Sequence, residues 1–268
     1  GVLVLRPEPR GVAPPVGASL LLASALFCAA PAGLAAATAG KATVLALEIT
    51  ASGERPGAGS ALERTRRQQA TLGDSTGRSD RGERSLVIDR AGGRALVLFH
   101  PQKIAWTLPW PFDLERLAGG GEAQALERVE ALLGDTAVAV VGASTAERVG
   151  VWPAVRHRLV VGSEPPAPQV EVEVWNADSV RFDGGLFEAL LATEAELDPL
   201  TRRWMPAVLA LPGVPVRLRH TIVTGSSRRT VTLELVSIET GDDGGPTAEV
   251  PDGYRETDVD IGLLFRLP

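Results

Sequence analysis

The three histidines, His100, His157 and His220, are the side chains best suited to move a proton or hold a metal near neutral pH. Each sits in or beside a strand-like segment. No H-x-x-x-H pair occurs, and the lone cysteine, Cys28, lies far up the chain, so no zinc set is spelled out. They read as ordinary strand or turn histidines. Glu171 and Glu173 are two apart on a strand-like run and share one face, the placement that paired acid–base carboxylates need if that face lines a cleft; a solvated sheet face is the plainer reading. Asp74-Ser75-Thr76-Gly77 resembles an aspartic-protease signature with one residue too many and no second copy. Gly33 to Lys41 has the wrong glycine spacing for a phosphate loop, and Ala42 stands where a magnesium-holding hydroxyl belongs. No G-x-S-x-G elbow surrounds Ser144, Ser163 or Ser226. The sequence therefore assigns no catalytic residue, metal ligand or cofactor, and a non-enzymatic role is expected.

Binding is the chemistry left. Arg64, Arg66 and Arg67 have the forked donors that match an anionic head group, although beside Glu63 they read as a solvated strand. Tryptophans Trp106, Trp110, Trp152, Trp175 and Trp204 are the large groups of a chain with 4% aromatic residues, and such rings fill cores first. If the domain holds an apolar ligand, the side chains expected to touch it are Trp106, Trp175, Trp204, Leu96 and Leu98. With 27 basic against 33 acidic residues, the chain has no electrostatic footprint for nucleic acid.

The N-terminal segment carries Arg6 and Arg10, then no charge from Gly11 to Gly40, with its apolar density between Ala18 and Ala30. That run is too short to span a bilayer core of roughly 30 Å. Pro31 and Gly33 break it, and Ala35, Ala37 and Ala39 supply the small residues a signal peptidase accepts. Residues 1–39 are read as a cleaved signal peptide and 40–268 as a single β-rich domain, periplasmic or extracellular. Phe27 stands where a lipoprotein signal needs a small residue, so Cys28 leaves with the signal and the domain has no disulfide.

The elements that must position any site follow from periodicity. Val44 to Thr50 alternates as a strand, Ala61 to Leu72 is a polar strand, and Gly73 to Arg84 reads as a turn region. Leu86–Ile88 and Arg94–Phe99 form a hairpin around Asp89-Arg90-Ala91-Gly92-Gly93. Ile104, Trp106 and Leu108 share a face of the next strand. A helix is expected over Glu122–Leu133 with Gly134 as its C-cap, strands over Ala137–Val141 and Val155–Val161, and a strand with one wet face where Val170, Val172 and Val174 alternate with Glu171, Glu173 and Trp175. Leu186 to Leu197 reads as a helix. Asp198-Pro199 caps a second helix, whose stripe of Leu200, Trp204 and Val208 must pack on something apolar. A last hairpin, Val216–Thr224 with Thr230–Thr240, changes apolar phase near Leu235, which a β-bulge or burial of both faces would produce. Gly241–Gly245 is a loop, and Val250-Pro251-Asp252-Gly253-Tyr254 is a turn.

Ile88-Asp89-Arg90, Lys103-Ile104-Ala105-Trp106, Val151-Trp152-Pro153-Ala154, Val174-Trp175, Leu211-Pro212-Gly213-Val214-Pro215-Val216 and Val250-Pro251-Asp252-Gly253-Tyr254, in that order, span most of Thr43 to Tyr254. Their layout resembles a group of exported bacterial domains of unknown function similar to the lipoprotein carriers LolA and LolB. The resemblance implies an α+β fold, mainly antiparallel β, with a strongly curved sheet (a half-barrel) whose concave face is covered by helices. It implies a lipid, acyl chain or envelope protein as partner and only transient contact with a membrane; it carries over no functional residue. An envelope hydrolase with dispersed catalytic residues and a sensor or interaction domain without ligand are the alternatives.

Overall fold

Alternation of apolar and polar residues dominates the chain, and strands dominate its fold. The computed structural model describes residues 41–54, 62–117, 120–133, 137–142, 144–162, 169–241 and 245–266. The expected export segment, Gly134 and most of the Gly241–Gly245 loop lie outside them. The residues from Ala37 to Pro268 gather into one compact unit.

The elements run β1 (Ala42–Glu54), β2 (Leu62–Leu72), β3 (Thr76–Asp80), β4 (Arg84–Asp89), β5 (Arg94–Phe99), β6 (Ile104–Pro109), α1 (Leu114–Leu117), α2 (Gly120–Leu133), β7 (Ala137–Val140), β8 (Thr145–Val149), β9 (Trp152–Gly162), β10 (Gln169–Ala177), α3 (Gly184–Glu196), α4 (Thr201–Leu209), β11 (Val214–Thr224), β12 (Ser227–Gly241), β13 (Arg255–Glu256) and α5 (Ile261–Arg266). The described strands make one open sheet, in the order β13-β6-β5-β4-β3-β2-β1-β12-β11-β10-β9-β7, with β8 also on β9. Every pairing is antiparallel except β13 on β6. The fold is α+β and mainly antiparallel, and its sheet does not close into a barrel.

Besides the two-residue β13, two strands escape the periodicity. Residues 76–80 were expected to turn but form β3, whose Gly77 and Ser79 are buried between polar neighbours; a glycine and a serine give no apolar signal. The polar β8 folds back on β9 through Val149↔Trp152 and so starts β9 earlier than its valines suggest. The phase change in β12 is a bulge: Ala46 pairs with Ser237 and Leu47 with Leu235, leaving Val236 as the extra, exposed residue.

One sheet face, here called inner, carries Leu45 and Leu47 (β1), Ala70 and Leu72 (β2), Leu86 and Ile88 (β4), Val97 and Phe99 (β5), Trp106 (β6), Leu218 (β11) and Val172 and Val174 (β10). These join α3 and α4 in the main hydrophobic cluster. On α3, Leu186, Phe187, Leu190 and Leu191 are buried, and Asp183 caps its start by accepting from Leu186 N at 3.0 Å. The helix lies tight on β3, because a Cβ at Gly77 would sit 2.9 Å from Leu190 Cδ1. On α4, Trp204, Met205 and Val208 are buried. Its first helical residue is Thr201 rather than Pro199 and its N-cap is Leu200; Asp198 accepts from Leu200 N at 3.0 Å and Thr201 N at 3.3 Å in the turn that leads into it. The outer face is mostly polar. Its apolar spot, Val87, Leu96, Leu98 and Ala105, is covered by the segment bearing Ala248, Val250 and Tyr254. Among the described residues, no helix is long and apolar enough to cross a membrane.

Candidate functional site

Strand register builds the floor of a cavity between the sheet and the helices. Ile49 of β1 lies opposite Leu233 of β12, which lies opposite Leu218 of β11; one step along come Val231 and His220, then Arg229 and Ile222. Side chains on alternate residues point the same way, so these make one inner-face ladder. Leu191 and Ala195 of α3, Trp204 and Met205 of α4 and Leu264 of α5 complete the walls, and Leu197–Thr201 forms the corner. The cavity, open on one side, has a volume of about 540 Å³, within the range of small-molecule sites.

Titratable groups enter the cavity at two places. The tight β3–β4 turn, with Gly82 at φ 77°, holds Arg81 and Arg84 against Glu194 of α3, at 3.3 Å from Arg81 Nε and 2.7 Å from Arg84 Nη2. Glu194 is only 4% exposed. Burial alone would raise its pKa, but Arg81, Arg84 and a hydrogen bond from Ser79 outweigh burial and hold the carboxyl below the usual range. The second place is His220, whose ring lies 5.5 Å from that of Trp204. Burial pushes its pKa down to about 4, against the pull of Asp198 and with help from Arg229 and Arg81, so it is neutral at physiological pH.

The five side chains expected to touch an apolar ligand do not converge. Trp204 lines the cavity. Trp106 is fully buried against Phe99, edge to face at 4.6 Å. Leu96 and Leu98 lie on the opposite sheet face under the Ala248–Tyr254 segment, because their even positions on β5 alternate with inner-facing Val97 and Phe99. Trp175 faces outward too, donating through Nε1 to Glu147 at 2.7 Å beneath the guanidiniums of Arg156, Arg217 and Arg219, 5.3 to 5.6 Å from its ring. Sequence reasoning missed Arg81, Arg84, Glu194 and the placement of His220. The Arg84–Glu194 contact joins residues 110 apart, and no local spacing announces it.

Glu171 and Glu173 both face outward, Glu171 exposed and Glu173 only 18% exposed. Glu173 accepts from Arg156 and, at 3.1 Å, from Arg219, so both oxygens are occupied by cations. The exposed Arg64, Arg66 and Arg67 lie on β2. A Ser–His contact does occur, Ser85 Oγ to His100 Nε2 at 2.6 Å, but Ser85 is fully buried and also bonds Asp80 Oδ1. His100 Nδ1 meets the Tyr254 hydroxyl, not a carboxylate. The chain is satisfied when Tyr254 donates to Nδ1, Nε2–H donates to Ser85 and Ser85 donates to Asp80. That direction sends the serine proton away from the histidine, the reverse of what a nucleophile needs. Ser144 lies 2.9 Å from His157 Nδ1, whose Nε2 is buried without a partner, so no carboxylate orients that ring. Among the described residues no three His, Cys, Asp or Glu side chains gather as a metal site.

No protein-family model matches the chain, and no curated protein matches it. Among solved structures, the crystal structure of the ywiB protein from Bacillus subtilis is similar at 12% sequence identity, covering 73% of this chain and 94% of that chain, with a TM-score of 0.16. Superposition at that level carries no argument about fold or function.

Proposed function

We propose that this protein is a secreted or periplasmic binding protein of the LolA-like kind. In this reading a strongly curved half-barrel sheet has helices over its concave face, and the cradle between them holds an apolar ligand such as a lipid or acyl chain. The observation that carries the reading is the cavity itself, floored by β1, β12 and β11 and roofed by α3 and α4. Curvature is supported by the reach of α3. Leu190 packs on Gly77 of β3, while its neighbour Leu191, with Phe187, shares a small cavity with Val216 and Leu218 of β11. On a flat sheet those strands, four spacings of about 4.8 Å apart, are separated by more than the roughly 10–12 Å diameter of a helix. Export rests on the basic, then apolar, then alanine-rich order of residues 1–39.

The test is extraction of the purified protein with organic solvent, followed by titration with a fluorescent fatty acid. Co-purified lipid or a saturable signal quenched by Trp204→Phe is the expected result. No bound lipid and no saturation would overturn the binding reading and leave an interaction domain without ligand.

A further inference from the structure

The charged end of the cavity sets the kind of head group the ligand carries, an inference that rests on the cavity being the binding site. Arg81, Arg84 and Arg229 line it, against Glu194 and Asp198, and neutral His220 adds no charge. Asp198 is occupied, accepting from Leu200 N, Thr201 N and, at 3.0 Å, Thr201 Oγ1. Glu194 is one carboxylate shared by two guanidiniums, which together bring ten N–H donors. The unpartnered buried atoms agree. Among the described residues, the buried lining donors Arg81 Nε, Arg84 Nε and Trp204 Nε1 have no hydrogen-bond acceptor, and Glu194 Oε1 is the one lining acceptor in the same position.

We infer that the ligand is a single-chain amphiphile with an anionic oxygen head, a carboxylate or a phosphate monoester. Its head takes the spare donors of Arg81, Arg84 and Arg229, and its hydrocarbon lies along Ile49, Leu218, Val231 and Leu233. Guanidinium forks bind both acids through paired charge-assisted hydrogen bonds. A neutral alcohol head leaves those donors short of acceptors, and an ammonium head meets like charge.

The experiment is displacement of a neutral fluorescent naphthylamine probe from the purified protein by dodecanoate, dodecyl phosphate, dodecanol and dodecyltrimethylammonium, at about pH 8 where the acids are ionised. At least one acid is expected to bind about tenfold or more tightly than dodecanol, and the tighter acid identifies the head. Arg229→Gln, at an exposed position, is expected to weaken the acids and leave dodecanol unchanged. Glu194→Gln, which removes the competing carboxylate, is expected to strengthen them, with thermal melting confirming that both variants fold. Dodecanol equal to both acids, or Glu194→Gln weakening the acids, would overturn the anionic head while leaving an apolar site standing. Absence of probe binding would instead overturn the cavity as a binding site.

Discussion

Two arginine–carboxylate clusters lie on opposite faces of the same sheet, and burial separates them. On the inner face Arg81 and Arg84 close on Glu194, with Arg84 and Glu194 only 13% and 4% exposed. On the outer face Arg156, Arg217 and Arg219 surround Trp175 and reach Glu147, Glu173 and Glu234, and Arg156 and Glu147 keep 31% and 35% of their surface. The chemistry is alike. In the wet cluster, solvent screens each pair and most of its worth is lost to screening and side-chain entropy. In the dry cluster the charges have left water, and each depends on the others for compensation. The outer lattice therefore decorates a face, whereas the inner one is a poised electrostatic feature beside the cavity.

The comparison breaks most visibly at Arg84. Arg84→Met leaves Glu194 with Arg81 as its one nearby cation and Ser79 as a hydrogen-bond donor, and a loss of about 3 kcal/mol is expected in chemical denaturation; adding Glu194→Leu should restore most of it. Next comes acid. His220 has a folded pKa of about 4, below its ordinary 6.5, so the unfolded chain takes the proton first. Its stabilising contribution is complete above about pH 6.5 and declines by up to about 3 kcal/mol as pH falls towards 4. Burial sets that value first, with Asp198 pulling against it and Arg229 and Arg81 adding to it. Glu194, also depressed, adds a loss only at lower pH, as the medium passes below its unfolded value. His220→Gln should flatten the slope between pH 6.5 and 4 in urea titrations at stepped pH, and an unchanged slope would sink the assignment.

A smaller effect probes the helix cover. Gly77→Ala drives a Cβ against Leu190 Cδ1 and Cγ, and a loss of about 1–2 kcal/mol with weaker probe binding is expected, read by denaturation and by the naphthylamine signal. The smallest lies outside. Arg219→Gln removes one cation above Trp175 and one partner of Glu173, and should cost less than about 1 kcal/mol, falling further with added salt. A larger loss there would erase the distinction between the faces.

Much of the scaffold was legible because alternation and helical spacing report burial directly. The runs 86–88, 94–99 and 170–174 fall in strands as expected, and Val236 bears out the bulge reading. The stripe of Trp204 and Val208 packs as its spacing requires. Polar segments hid β3 and β8, since Ser79 is buried by a partner, Gln68 Nε2 at 2.6 Å, rather than by hydrophobicity. Of the side chains expected to share one site, Trp204 lines the cavity whereas Leu96 and Leu98 lie on the other sheet face. Their strand reads apolar on both faces, and only the Ala248–Tyr254 cover reveals that the second face is closed.

By itself the sequence determined the local conformations and the faces they would bury, because both depend on neighbours within a few residues. It also carried the order of short strings on which the LolA-like reading rests. Only the tertiary structure decided that a turn at Arg81–Arg84 meets Glu194, that His220 sits beside Trp204, and that Trp175 faces outward under three arginines. Those contacts join positions from 16 to 110 residues apart, and neither charge nor aromaticity in a sequence states which distant partner it will meet.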